Sequence, residues 1–506
     1  MTAAETGLGR MAQPAFVLGT VALLLHIFAN QQYGFFRDEL YFIVCGRHPA
    51  WGYVDQPPLV PLIAGFADWA APGSLLALRL LPALVATATV AATIMLVRLL
   101  NGRLFAQWIA GLCVLLAPIQ LVQGLLLFTD LFLPLCWIGC AALLILMLRT
   151  GDQRGWIPFG VIVGFALWSK YLILFDVAAM AVALPFTPLR RALVTRWPYL
   201  GAVIALAIIS PNLIWQWSHG WPFIELGAAG ANGKNVALSL PAYLMGQVVL
   251  LNPGAAIVWI AGLTAIAFTP RLGLYRLFAL QWAVLMLIEV ASHGKDYYAA
   301  SLYPPLFAFG AVAIEGFVKN LAVRSTLALL VLAVGLIGMP LALPVLPVDR
   351  LVAYEQALGY LPSVGEHRRL ADLPQYFADM FGWREMAKAV SDAYWALPAD
   401  ERAKAVFKGR NYGEAAAIDV FGERLPPAIS GHNNYYLWGF GDHDGSVVIA
   451  TADDTKEADK ICTSVETVGT IGSPHAMPDE TGLLLIICRG LKIPLIDLWP
   501  RFKNYS

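Results

Sequence analysis

Apolar runs recur along most of this chain, near residues 13–30, 76–98, 104–121, 130–148, 156–169, 171–187, 198–217, 240–266, 277–291, 299–317 and 325–345. Roughly 17–25 apolar residues suffice to cross a bilayer as a helix. Eleven such runs in one chain exclude a set of soluble domains, because no ordinary core buries that many continuous apolar helices. Composition agrees: charged residues make up 13% of the chain, against about 25% in soluble globular proteins. The fold class expected is a polytopic α-helical membrane protein with about eleven transmembrane helices. The runs at 156–169 and 171–187 are short for full spans, which fits tilted or half-inserted helices.

Direction follows from the basic residues. Arg98 and Arg103, Arg149 and Arg154, Arg190, Arg191 and Arg196, Arg271 and Arg276, and Lys319 and Arg324 fall in alternate loops, with Arg10 on the same side. That side is read as cytoplasmic. Residues 31–56, 218–238, 292–298 and everything after 346 then lie outside.

The formal net charge of zero hides a split. Residues 1–345 hold 18 Lys and Arg against 12 Asp and Glu, and residues 346–506 hold 16 against 22. This shift sets a boundary between a transmembrane part, 1–345, and a soluble outer domain, 346–506. In the domain, Asp379–Leu397, Gly413–Val420 and Thr455–Thr463 read as helices, and Ala405–Lys408, Val447–Thr451 and Leu483–Cys488 as buried strands. That alternation predicts a small α/β domain. Cys462 and Cys488, its two cysteines, are disulfide candidates if this side is oxidising. No strongly basic domain exists, so nucleic acid is not an expected partner.

The first outer loop, residues 31–72, contains Arg37-Asp38-Glu39-Leu40 and Val54-Asp55-Gln56-Pro57-Pro58. Arg37–Gly46 and Leu59–Ala70 read as helices lying in the outer interface. Ionisable groups at a membrane face are functional when they point into a cavity. Asp38 or Glu39 there suits a general base acting on an acceptor hydroxyl or amine. A solvated carboxylate paired with Arg37 explains the same residues without chemistry. Asp55 suits a helix N-cap ahead of Pro57, and with His219 or His293 it also makes a pair able to bind a divalent metal. Asp130 either caps the fourth span or takes part in a site. Lys170 and Lys295 are two of only four lysines before residue 346, and both fall outside beside tyrosines. Such lysines bind a lipid phosphate as point charges, or snorkel to headgroups. No Walker A sequence, dinucleotide-binding glycine pattern, Ser-His-Asp signature or HExxH is present. A nucleotide cofactor is therefore not expected, and a transferase on this side needs its donor delivered on a lipid.

The stretch from Arg37-Asp38-Glu39-Leu40 through Tyr53-Val54-Asp55-Gln56-Pro57-Pro58 resembles the first outer loop of the family 39 glycosyltransferases. These are the dolichyl-phosphate-mannose protein mannosyltransferase and bacterial aminoarabinose–lipid A transferase group, with the GT-C fold. Thr129-Asp130, Gly164 through Tyr171, Ser218-His219-Gly220-Trp221-Pro222, Lys295-Asp296-Tyr297-Tyr298 and Tyr303-Pro304 match in the same order. The tail resembles bacterial members at Tyr376 through Trp383, Asn411-Tyr412-Gly413-Glu414-Ala415 and Gly431 through Gly439.

The resemblance implies inverting transfer of a sugar from a polyprenyl-phosphate donor to an acceptor at the outer face of the bacterial inner membrane. The acceptor class is lipid A, another glycan, a lipid or a protein. Asp38, with Glu39 beside it, falls at the family's catalytic position. Arg37, Gln56, Asp130, Lys170, Lys295 and Tyr297 are the expected contacts to donor phosphate and substrate. The acidic position before the Pro-Pro pair, linked to a bound divalent metal in aminoarabinose transferases, falls on Asp55; there it is Glu followed by Lys, and Gln56 in place of that Lys weighs against a metal at Asp55 with His219, so the N-cap reading of Asp55 is preferred. The C-terminal domain is expected in the periplasm. Two other function classes fit a polytopic chain. A lipid or sugar transporter would use intramembrane acids such as Asp176 and Glu289, and a non-catalytic sensor would read a ligand through the C-terminal domain.

Overall fold

The computed structural model describes residues 3–230, 238–360 and 371–506. All eleven apolar runs are helical. Among the described residues, six helices are long and apolar enough to cross a membrane by themselves: Leu75–Leu99, Leu133–Thr150, Trp197–Ser218, Pro270–Ala291, Asp296–Phe317 and Leu321–Ala342. Three more arise as bent pairs, Leu104–Leu115 with Pro118–Leu125 (62°), Ile173–Phe186 with Pro188–Val194 (102°) and Leu240–Leu250 with Pro253–Phe268 (102°). In each pair the second half opens on a proline. Proline lacks the N–H that would continue the first helix, and its fixed φ suits the first position of the next. The two remaining runs form the shorter apolar helices Gln13–Ala29 and Trp156–Ser169.

The chain divides into two compact units, each assembled from separate stretches. The first comprises Met1–Gln32, Arg79–Ile214 and Val236–Pro347. Its helices meet closely where small residues allow it. Ala256–Phe268 packs on Tyr303–Phe317 through Gly262 and Gly310, and a Cβ at Gly310 would fall 1.8 Å from the Val258 carbonyl oxygen. Such small-residue contacts are the usual means of bringing helices together in lipid, where apolar burial drives little.

The second unit comprises Tyr33–Leu78, Trp215–Asn235 and Val348–Ser506. The first outer loop thus packs with the C-terminal residues. The helix Arg37–Arg47 lies against Leu59–Ala70 and against Tyr412–Phe421. It is not a surface helix: Arg37, Glu39 and Leu40 through Cys45 are all buried. Leu59–Ala70 instead exposes Phe66 and Trp69.

The C-terminal sheet has five strands, β1 (Ala405–Gly409), β2 (Ile429–Ser430), β3 (Val447–Ala452), β4 (Cys462–Ile471) and β5 (Leu483–Leu491), in the order β2-β1-β3-β5-β4. β1 runs parallel to β2 and β3, and β5 is antiparallel to β3 and β4. Phe407, Ile449 and Ile487 stand in register across three strands. On the other face Val406, Val448 and Cys488 pack with Leu495 and Trp499 of the helix Leu495–Phe502. Asp379–Leu397 is shorter than its sequence suggests: the helix begins at Trp383, after Gly382 in a left-handed conformation. Cys462 and Cys488 form a disulfide that ties β4 to β5.

Candidate active site

In the second unit the helix Arg37–Arg47 sets the first cluster. Its N-terminus is capped by its own third residue, since the Phe36 N–H donates to Glu39 Oε2 at 2.9 Å. That bond satisfies one of the donors that a helix start leaves over. Glu39 is fully buried. The neighbouring Asp38 keeps 29% of its side chain exposed. Of the two acids, one is spent on the helix start and the other faces outward.

Asp38 is held from two directions. The Tyr412 hydroxyl donates to its Oδ1 at 2.7 Å, and Arg37 Nε stands 3.6 Å from the same oxygen. Arg37 also reaches Asp379 Oδ1 at 3.8 Å, its backbone N–H donates to the Asp379 carbonyl at 3.1 Å, and its guanidinium lies 5.4 Å from the Tyr412 ring centre. Burial works against the charge of Arg37, but Asp379, Tyr412 and Asp38 outweigh it and hold the guanidinium protonated well above its ordinary range. Burial pushes the Tyr412 phenol far above the ordinary tyrosine range; Arg37 opposes this and Asp38 adds to it. Tyr412 is therefore a hydrogen-bond donor at any working pH.

Asp55 sits one ring further along. It accepts from the Tyr41 hydroxyl at 3.0 Å, and the Tyr41 ring centre is 4.7 Å from that of Tyr412. The Asn434 N–H donates to the Tyr41 oxygen, and Asn434 Oδ1 accepts from the Val54 N–H at 2.6 Å. The Gly431–Gly439 segment thus fastens the loop that carries Asp55. Gln56 is buried, and its carboxamide makes no hydrogen bond within the described residues. His219 is exposed. Its Nδ1 bonds the Trp215 carbonyl at 2.8 Å and its ring stacks on Trp215 at 4.1 Å. Among the described residues, no three His, Cys, Asp or Glu side chains stand where they could share a metal ion.

The first unit carries the second cluster. Lys170 ends the helix Trp156–Ser169. Its Nζ lies 3.9 Å from Asp130 Oδ1, and 5.7 and 5.3 Å from the ring centres of Tyr297 and Tyr298. Lys295 Nζ is 6.0 Å from the Tyr297 ring. Asp130 also accepts from Gln123 Nε2 at 3.4 Å. The backbone beside Lys295 is pinned by the Tyr243 hydroxyl on the Lys295 carbonyl and by Gln247 Nε2 on the Asp296 carbonyl. Asp130, Lys170, Lys295 and Tyr297, chosen from well-separated motifs, therefore share one neighbourhood. Two ammonium groups around one phenol ring can hold an anionic group by point charge and by donation from the ring's hydroxyl.

The sequence does not mark Tyr41, Asp379 or Tyr412 as site residues. For the last two the only signal is that Tyr376 through Trp383 and Asn411 through Ala415 each carry polar residues in a motif with no assigned chemistry, whereas Asn434 lies in Gly431 through Trp438, whose aromatic and amide groups suit either a sugar or a structural corner.

Residues 55–215 match the model of the dolichyl-phosphate-mannose-protein mannosyltransferase family. No curated protein matches the chain. Among solved structures, ArnT from Cupriavidus metallidurans bound to undecaprenyl phosphate aligns with a TM-score of 0.62 at 12% identity, over 94% of this chain and 98% of its own. The same protein in the apo state aligns at 0.57 and 13% identity, over 96% and 98%. The Archaeoglobus fulgidus oligosaccharyltransferase, in complex with Zn and sulfate, aligns at 0.50 and 13% identity, over 87% of this chain and 68% of its own. This chain is thus a multi-pass membrane protein with the GT-C fold, and its residues 55–215 match the mannosyltransferase family model.

Proposed function

We propose that the chain is a membrane glycosyltransferase that moves a sugar, with inversion, from a polyprenyl-phosphate donor to an acceptor hydroxyl or amine. The observation that carries this reading is the state of Asp38: an anchored carboxylate with 29% of its side chain open. Asp38 takes the proton from the acceptor as that atom's electron pair attacks the anomeric carbon. The bond from that carbon to the phosphate oxygen breaks, and its electron pair leaves with the polyprenyl phosphate. Lys170, Lys295 and Tyr297 of the first unit are suited, on their own geometry, to an anionic phosphate. Undecaprenyl phosphate bound to the C. metallidurans ArnT supports this class of donor. Glu39 caps its helix in this reading, and no step is routed through a metal. The reaction is assigned to the outer face of a bacterial inner membrane. The basic-residue asymmetry supports that side, as does the Cys462–Cys488 disulfide in the C-terminal residues.

The test is turnover by purified protein in detergent, given a panel of polyprenyl-phosphate sugars and a membrane extract as acceptor. Wild type releases polyprenyl phosphate from at least one donor, and Asp38→Asn, still folded and binding donor, loses that release by at least a hundredfold. Undiminished release by Asp38→Asn sinks the assignment of the base. Donor binding without release by wild type sinks the transferase reading and favours a transporter.

A further inference from the structure

The sequence Asn411-Tyr412-Gly413-Glu414 is built against Arg37 and Asp38, although 374 positions separate Tyr412 from Asp38. Each residue of the segment has an identifiable task. Tyr412 donates to the Asp38 carboxylate at 2.7 Å. At Gly413, a Cβ would fall 2.5 Å from Arg37 Cγ and 2.7 Å from Arg37 Cδ, so any larger residue would displace the arginine that braces Asp38. Glu414 and Asn411 fix the segment itself. Glu414 accepts from the Arg410 backbone and side chain at 2.8 Å each and from the Thr451 hydroxyl at 2.5 Å, and Asn411 Nδ2 donates to Glu480 Oε1 at 2.8 Å. All these groups belong to one compact unit.

We propose that Tyr412 is a positioning residue for the glycosyl-transfer base, so that the C-terminal residues complete the catalytic centre. This rests on the reading of Asp38 as the base. The Cβ–Cγ torsion of an aspartate is soft, so a fixed donor on one oxygen decides where the other points. Tyr412 and Arg37 both engage Oδ1, which leaves Oδ2 as the oxygen that faces the acceptor proton. The phenol is itself immobile: its ring is packed on Tyr41 at 4.7 Å and on His432 at 4.7 Å, and its backbone N–H bonds His432 Nδ1. Misplacing a general base by about 1 Å can cost about a hundredfold in rate.

The experiment compares wild type, Tyr412→Phe, Tyr412→Ala and Asp38→Asn as full-length proteins in detergent, measuring donor binding, kcat, donor KM and thermal unfolding. Tyr412→Phe keeps the ring packing and removes only the donor. It is expected to bind polyprenyl-phosphate sugar as wild type does and to lose ten- to a hundredfold in kcat, with donor KM and unfolding temperature unchanged. A merely structural tyrosine would lower kcat only together with stability or donor binding. Tyr412→Phe with wild-type kcat, or with kcat reduced only in step with stability or donor binding, overturns the proposal. Asp38→Asn with undiminished turnover removes the base and the proposal with it, and that outcome is visible in its own arm. Tyr412→Ala, which also removes the ring, adds a loss of thermal stability that Tyr412→Phe does not show.

Discussion

Lys170 holds its ammonium 3.9 Å from the Asp130 carboxylate while facing the rings of Tyr297 and Tyr298. The pair is too long for a direct hydrogen bond, so Asp130 orients the lysine by charge. Hydrogen bonds to charged groups contribute about 1.5–3 kcal/mol. Lys170→Gln is therefore expected to raise the donor KM roughly tenfold to a hundredfold, with a smaller change for Asp130→Asn. Titrating release of polyprenyl phosphate against donor concentration checks this. Equal effects of the two variants would assign Lys170 to structure alone.

Gly310 tests the packing that builds the membrane unit. Its missing side chain lets the helix Tyr303–Phe317 approach the Val258 carbonyl, and the obstacle to a Cβ is backbone at 1.8 Å. Backbone cannot rotate away as a side-chain tip can. Gly310→Ala is expected to destabilise by about 1–3 kcal/mol through forced separation of the two helices. The measurement is thermal unfolding in detergent, and a melting temperature equal to wild type would contradict the close contact.

The Cys462–Cys488 bridge spans 26 positions and joins the start of the edge strand β4 to the middle of β5. For a loop of this size the chain-entropy model gives about 3–4 kcal/mol. Cys462→Ser with Cys488→Ser should lower the unfolding temperature of the C-terminal residues, and reductant should reproduce the effect in wild type. Free-thiol labelling of unreduced protein checks the pairing directly. Two reactive thiols at 462 and 488 would refute it.

Much of this was legible because membrane helices and charged motifs are local signals. Lys170, Lys295 and Asp130 stand out as ionisable residues in apolar surroundings, and they do meet. The role of Glu39 was less legible: the sequence shows an acidic pair, and only the helix start at Arg37 decides which acid is turned inward to cap it. Tyr412 was out of reach for another reason. Its partner lies 374 positions away, and no periodicity links residues at that distance. β4 escaped notice because most of its residues are exposed, so it lacks the apolar alternation that marks a half-buried strand. The packing of the first outer loop with the C-terminal residues escaped for the same reason as Tyr412. The charge split divides the chain by composition, whereas contacts divide it by where residues 33–78 find their partners.

Asp419 gives the fold a pH dependence of defined sign. Burial pushes its carboxyl up to about 6, against the opposing bonds from the Ala428 N–H and the Tyr435 hydroxyl and the charge of Arg47. Those bonds measure 2.8 and 2.5 Å. In the unfolded chain an aspartate titrates near 3.9. Between these values the folded protein holds the extra proton, so stability falls as pH rises through the window. The contribution is complete below about pH 4 and gone above about pH 6, for a total of about 3 kcal/mol. Asp419→Asn cannot titrate and should flatten that slope. The unfolding temperature of the variant, taken relative to wild type, is expected to climb between pH 4.5 and pH 7.5. A difference that stays constant across the two pH values would show that the folded-state carboxyl is not raised.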